Sequence, residues 1–206
     1  MLQQTQTSRV VPRFEAWIDR WPTAEGLAAA GLDDVIRAWQ GLGYNRRAVS
    51  LHRAAQQVAA HGWPEDLTDL PGVGAYTAAA IGRFAFGAHV LPLDTNVVRV
   101  TGRTGVEFGP AAAEALMDLG REVCLARVPR CGSCPLAGGC PSRGRRYEPL
   151  RKQSRFEGSF RQRRAETLRL VAERARDVQE LDGAAVNSLL ADGLLQVEDR
   201  RVRLPV

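Results

Sequence analysis

Apolar residues recur at helical spacing through most of this chain. Val10, Val11, Phe14, Trp17, Ile18 and Trp21 predict a helix over Val10–Trp21. Pro22-Thr23 ends it and starts a further short helix. Asp33–Gln40 and Arg46–Ala60 follow, the second with Val49, Leu51, Ala54, Ala55 and Val58 as its apolar positions. Pro64-Glu65-Asp66 opens the next helix. The Ala-rich stretch Thr77–Phe86 closes at Gly87, and Asp94 stands where it can N-cap a helix carrying Val97, Val98 and Val100. Pro110–Glu122 is a further helix, running into a cysteine-bearing loop. Beyond Phe160 the pattern changes. Helices over Ala165–Ala175 and Ala184–Ala191, the latter ended by Gly193, precede two short apolar stretches, Leu194–Val197 and Arg201–Leu204. These flank Glu198-Asp199-Arg200 as a small hairpin. The pattern therefore predicts an all-α body over 1–142, a basic linker over 143–159, and a small winged-helix-like module over 160–206.

Composition narrows the class. With 206 residues, 45% of them hydrophobic, the chain can build one good core or two small ones. No apolar run approaches the ~18 residues of a membrane span. The start, MLQQTQTSRVVPRF, lacks a basic stretch followed by an apolar one, so no export signal is visible. The expectation is a cytoplasmic protein with reduced thiols and no membrane partner. The net charge of +5 is unevenly spread: Arg143 to Arg164 holds nine Lys/Arg against Glu148 and Glu157. Tyr147, Phe156 and Phe160 are interleaved with these charges. Such a segment suits a phosphate backbone, and equally a solvated linker.

All four cysteines lie between Cys124 and Cys140, spaced C-x6-C-x2-C-x5-C through Cys131 and Cys134. Thiolates this close can surround one soft metal centre. A four-thiolate zinc site often shows paired C-x2-C knuckles, and only one such pair is present. A [4Fe–4S] cluster takes wider, uneven spacing. The spacing favours the cluster and leaves zinc open; disulfides do not fit a chain without secretory features.

Two further motifs carry chemistry. Leu70-Pro71-Gly72-Val73-Gly74-Ala75-Tyr76-Thr77 places two glycines between helical segments. Uncovered backbone N–H groups at such a turn can bind phosphate, although an ordinary helix–helix turn also uses glycine. Leu93-Asp94-Thr95-Asn96-Val97 offers a carboxylate that can stabilise a sugar cation or orient a water; the plainer reading is a helix cap.

The order of these blocks is informative. M-L-Q-Q-T-Q, G-L-G-Y, L-P-G-V-G-x-Y-T, L-D-T-N-V, M-D-L-G and then the cysteine spacing resemble the helix-hairpin-helix DNA glycosylases over roughly residues 1–142. The closest resemblance is to the MutY family, which removes adenine opposite guanine or 8-oxoguanine. The hairpin and cysteine spacing are shared with endonuclease III. That enzyme carries a lysine where Tyr76 stands, and a tyrosine cannot form a Schiff base, which implies a monofunctional enzyme. The resemblance further implies that Asp94 stabilises an oxocarbenium-like sugar or joins a covalent intermediate. Tyr76 would support it by hydrogen bonding, and Asn96 would orient groups beside it. Gln3 and Gln4 would contact DNA, with Gln4 and Tyr44 wedged into the base stack from which adenine is flipped. Gly72, Val73 and Gly74 would present N–H groups, with a monovalent cation, to a phosphate. Cys124, Cys131, Cys134 and Cys140 would hold a [4Fe–4S] cluster that fixes a basic loop against DNA. The partner would be double-stranded DNA with a mispaired or damaged base, met by a monomer on the nucleoid.

The chain departs from that family in three places. The family's catalytic Glu stands just before the Met of M-L-Q-Q-T, and here that Met is residue 1. This start reads as a truncation or a misassigned start; if genuine, it implies the loss of acid catalysis. The stretch from Arg103 to Ala111 is too short for a helix usual there. Residues 160–206 are too few for the family's larger domain that recognises 8-oxoguanine. Two alternatives follow: the same fold acting on mismatched thymine or uracil, and a catalytically impaired protein that binds lesions.

Overall fold

The computed structural model describes residues 1–2, 5–148 and 155–206, and the chain folds as two compact units. The first comprises Met1–Glu65, Asp69–Gly72 and the chain from Ser154 onward. Its leading helices are α1 (Thr7–Arg20), α2 (Ala24–Ala28), α3 (Leu32–Trp39) and α4 (Arg46–His61). The Thr23 hydroxyl accepts from the Gly26 N–H and caps α2. The apolar stripes of these helices meet in a core of Val10, Trp17, Trp21, Leu27, Val35, Trp39, Leu42, Ala48 and Ala55. Trp17 lies edge-on to Trp21 and Trp39, with ring centroids 4.8 and 5.6 Å away, an arrangement that adds to the burial energy. Of the apolar residues that mark the first helix, Val10, Trp17 and Trp21 are buried, while Val11, Phe14 and Ile18 remain exposed.

Ile36 of α3 and Val49 of α4 face a second core in the same unit. Covering it are Leu168 and Val171 of α8 (Phe160–Glu173), Val186 and Leu189 of α9 (Gly183–Ala191), and Leu194, Leu195, Val202 and Leu204. Ser159 caps α8 and Asp182 caps α9. The segment 160–206 thus shares a hydrophobic core with α3 and α4. The sequence pattern did not show this, because Ile36 and Val49 look like ordinary members of an amphipathic stripe. The expected hairpin forms from β2 (Gln196–Glu198) and β3 (Arg201–Arg203), with Val197 opposite Val202. Asp199 and Arg200 both have positive φ, 46° and 64°, as a two-residue hairpin turn requires. A third strand, β1 (Arg176–Asp177), pairs with β3 to give the order β1-β3-β2.

The second unit holds Asp66–Thr68 and Val73–Gln153. Its helices are α5 (Ala75–Phe86), α6 (Thr95–Thr104) and α7 (Ala113–Glu122). Val97 and Val100 of α6 meet Leu116 of α7 in its core. No residue of α5 is buried, although the helix is Ala-rich and apolar. Two expected helices are shorter than read. Pro64-Glu65-Asp66 opens only a single tight turn over Leu67–Asp69, because the Asp66 carboxylate takes both the N–H and the hydroxyl of Thr68. The stretch from Pro110 starts as a tight turn over Pro110–Ala112 before α7 proper. Among the described residues no helix is long and apolar enough to cross a membrane.

Candidate functional site

Asp94 is the N-cap of α6. Its backbone is extended and its Oδ1 accepts from the Val97 N–H at 2.6 Å. The second oxygen is also used: Asn96 Nδ2 donates to Asp94 Oδ2 at 2.8 Å. Asn96 is in turn held by Arg99, whose Nη2 donates to Asn96 Oδ1 at 2.6 Å and whose Nε donates to the Cys124 carbonyl at 2.7 Å. α7 comes close beneath this network at Gly120. A Cβ added there would sit 2.5 Å from the Asn96 Cβ and 3.0 Å from its Cα. Only a residue without a side chain permits that approach. Tyr76 lies in the first turn of α5, 40% exposed. Its phenol pKa is raised, first by burial and then by the negative charge of Asp94. The capping reading of Asp94 is thus correct, and the cap does not use up the carboxylate. A carboxylate accepts about four hydrogen bonds, and these two leave capacity on both oxygens.

Tyr44 follows Gly41 and Gly43, both at positive φ, and itself has φ 48°. It is 56% exposed and takes no part in the core. The loop is held open from beneath: Trp39 Nε1 and Arg47 Nη2 each donate to the Gly43 carbonyl at 3.1 Å. A strained, exposed aromatic on a braced loop is a common feature of ligand-contacting sites. Gly72, in the first unit, has φ 78°, and its Cα packs so tightly on Ser50 that a Cβ would come within 2.6 Å of the Ser50 Cβ. Val73 and Gly74 lead into α5 in the second unit; Gly74 is its N-cap, makes no side-chain cap, and has open space where a Cβ would stand. Gln3 and Gln4 lie outside the described residues.

The four cysteines line one cavity, with Val100, Leu119, Val123 and Leu136 as apolar walls. The Cys131 sulfur accepts from the Gly144 N–H at 3.3 Å, and the Cys124 sulfur lies 3.5 Å from Arg103 Nη1. Soft sulfur donors in an apolar pocket, with N–H groups aimed at sulfur, fit an iron–sulfur centre. Among the described residues no three His, Cys, Asp or Glu side chains converge on a single-ion position. Arg103 is nearly buried and anchors the loop: Nη1 donates to the Leu125 carbonyl at 2.7 Å and Nη2 to that of Ala126 at 2.6 Å. The Tyr147 ring covers its guanidinium at 3.7 Å.

Arg99 and Arg103 escaped the reading of the sequence. With Asn96 they are spaced i, i+3, i+7 on α6, one helical face, and that polar stripe flanking Val97 and Val100 was the available signal. The basic segment divides in use. Arg163 pairs with Asp182 at 2.9 Å and Arg164 with Asp192 at 2.6 Å, so these two brace α8 against α9. Arg151 and Lys152 fall outside the described residues.

Residues 1–124 match the family model of the HhH-GPD superfamily base excision DNA repair protein. The adenine DNA glycosylase of Mycolicibacterium smegmatis is 40% identical over 248 aligned residues, which cover 99% of this chain and 84% of the relative. The alignment is longer than the chain, so the relative carries residues without a counterpart here. Its reach also takes in the C-terminal segment. The adenine DNA glycosylase of Homo sapiens is 34% identical over 77% of this chain and 35% of its own length. A thermostable thymine-DNA glycosylase superposes with a TM-score of 0.59 at 25% identity, covering 68% of this chain and 78% of that one. A non-covalent endonuclease III–DNA complex shares the fold, with a TM-score of 0.60 at 23% identity over 68% of this chain and 78% of that one. The chain therefore belongs to the HhH-GPD superfamily of base excision DNA repair proteins, and within it to the adenine DNA glycosylases.

Proposed function

We propose that this protein is a monofunctional glycosylase that hydrolyses the N-glycosidic bond of adenine mispaired with guanine or 8-oxoguanine in duplex DNA. The observation that carries the reading is the Asp94 carboxylate, fixed by the Val97 N–H and the Asn96 amide beside a Tyr76 phenol that senses its charge. As the C1′–N9 bond breaks, its electron pair leaves with adenine, which takes up a proton from solvent, and positive charge grows on the sugar. A carboxylate locked in place before the reaction stabilises that charge without reorganising. Water then supplies oxygen to C1′ and gives up a proton. Tyr76, kept protonated, donates a hydrogen bond and offers no amine for strand cleavage.

Gln4 and the exposed Tyr44 fill the space that the flipped base vacates, and Gln3 contacts the DNA beside them. The Gly72-Val73-Gly74 turn, with a monovalent cation, grips a phosphate. Cys124, Cys131, Cys134 and Cys140 hold a [4Fe–4S] cluster whose contribution is to lock the loop that follows α7. The protein acts as a monomer, on the nucleoid in the cytoplasm. Single-turnover assays on A:8-oxoguanine, A:G, T:G and U:G duplexes test the reading. Adenine release from the first two, lost in Asp94→Asn, is the expected result. Release confined to thymine or uracil would assign another target base, and tight binding without release would make it a lesion-binding protein.

A further inference from the structure

Arg46, Ser50 and Arg53 are spaced i, i+4, i+7 and form one stripe along α4. They line an open groove of ≈ 510 Å³ together with Pro71, Gly72 and the turn Leu190–Gly193. That volume lies in the range of sites that take small ligands or part of a larger one. Both guanidiniums are exposed, and among the described residues neither makes an ion pair or hydrogen bond. The acidic group in the wall, Asp192, is already bound by Arg164 at 2.6 Å. The groove therefore carries two uncompensated positive charges. Gly193, at φ 68°, brings the turn to within about 4 Å of Arg53, with 3.9 Å from its Cβ position to Nη2. Gly72 rests on Ser50, the middle residue of the stripe.

We propose that this groove seats a backbone phosphate of the duplex, as a contact additional to the N–H groups of the Gly72–Gly74 turn. Arg46 and Arg53 embrace the phosphate oxygens from two sides and the Ser50 hydroxyl donates between them. Two forked, planar donors around one anion give both charge and direction. The C-terminal segment supplies the far wall, which gives residues 190–193 a share in holding DNA. The inference rests on the reading of this protein as a DNA glycosylase.

The test is fluorescence anisotropy on a labelled undamaged duplex across a salt series. Arg46→Ala/Arg53→Ala should weaken binding about tenfold and make the plot of log affinity against log salt shallower by about one. Its thermal midpoint should match the wild type. Arg46→Lys/Arg53→Lys should recover the slope, and Ser50→Asp should weaken binding more than either single alanine variant. Arg174→Ala, an exposed arginine away from the groove, should change little. An alanine double variant with wild-type affinity and slope would overturn the groove alone. A wild-type protein that fails to bind duplex DNA would overturn the glycosylase reading itself.

Discussion

Asn96 holds Asp94 from the side: its amide donates to Oδ2 at 2.8 Å while the Val97 N–H occupies Oδ1 at 2.6 Å. The cap and the proposed chemistry call on the same carboxylate, and substitution separates them. Asparagine caps helices about as well as aspartate. Asp94→Asn should therefore keep the cap, give up the bond from Asn96 because its own amide NH2 then faces a donor, and lower the thermal midpoint only slightly while duplex affinity holds; base release should be abolished, since the negative charge that would face the developing cation is gone. Asp94→Ala should lose the cap as well, at a cost of about 1 kcal/mol. Thermal melts beside single-turnover assays read both quantities. Wild-type release by the asparagine variant would leave Asp94 as a cap only.

Gly120 sets the floor under the same network. The Cβ of Gly120→Ala would stand 2.5 Å from the Asn96 Cβ and 3.2 Å from its carbonyl carbon, so backbone must move. Overpacking of this kind costs about 1–3 kcal/mol. Base release should fall too, because Asn96 can no longer hold Asp94 in register. Gly102→Ala in α6, where a Cβ meets nothing within 4 Å, is the control and should do neither.

Tyr76 should titrate late. Its phenol is raised above the ordinary value of 10.0 by burial and by Asp94. The neutral phenol is thus favoured by folding. Its contribution to stability is complete below the unfolded pKa and is lost as pH rises through the higher folded one. Alkaline absorbance titration of the three tyrosines should show one component displaced upward. Asp94→Asn should move that component back towards 10 without restoring it fully, because burial remains. A Tyr76 component unaffected by Asp94→Asn would separate the two groups.

What could be read from the sequence follows from how local each signal is. The helices of α1, α3 and α4 announce themselves because apolar spacing and caps are properties of neighbouring residues. Asp94 and Gly72 were legible for the same reason. The shared core of Ile36 and Val49 with Leu168 and Leu189 was not, since no local pattern tells which partner will cover a stripe. Arg99 and Arg103 were missed because an arginine that spends its donors on carbonyls, part-buried or buried, looks in sequence like any solvated one. Pro64-Glu65-Asp66 misled for the opposite reason. Its start signal is real, but the Asp66 carboxylate is taken up by Thr68, and Leu70-Pro71-Gly72 leaves no room for a helix.

Arg103 gives the sharpest test of the cysteine loop. It is 9% exposed and faces no carboxylate among the described residues; its charge is met by the carbonyls of Leu125 and Ala126 and by the Tyr147 ring. Removing it leaves those carbonyls unpaired, each costing about 1–3 kcal/mol where burial is complete. Arg103→Leu fills similar space with no donor, so it should loosen the segment between Cys124 and Cys131 while α6 itself persists. Wild-type protein purified without oxygen should be brown, with about four irons per chain. Arg103→Leu should bind less iron, bleach faster in air, and lose duplex affinity before it loses helical circular dichroism. Arg103→Lys should fall between, because one ammonium cannot span both carbonyls as the fork does. One zinc and no iron in the wild-type protein would refute the cluster. Full iron content in Arg103→Leu would show that the cysteines alone fix the loop.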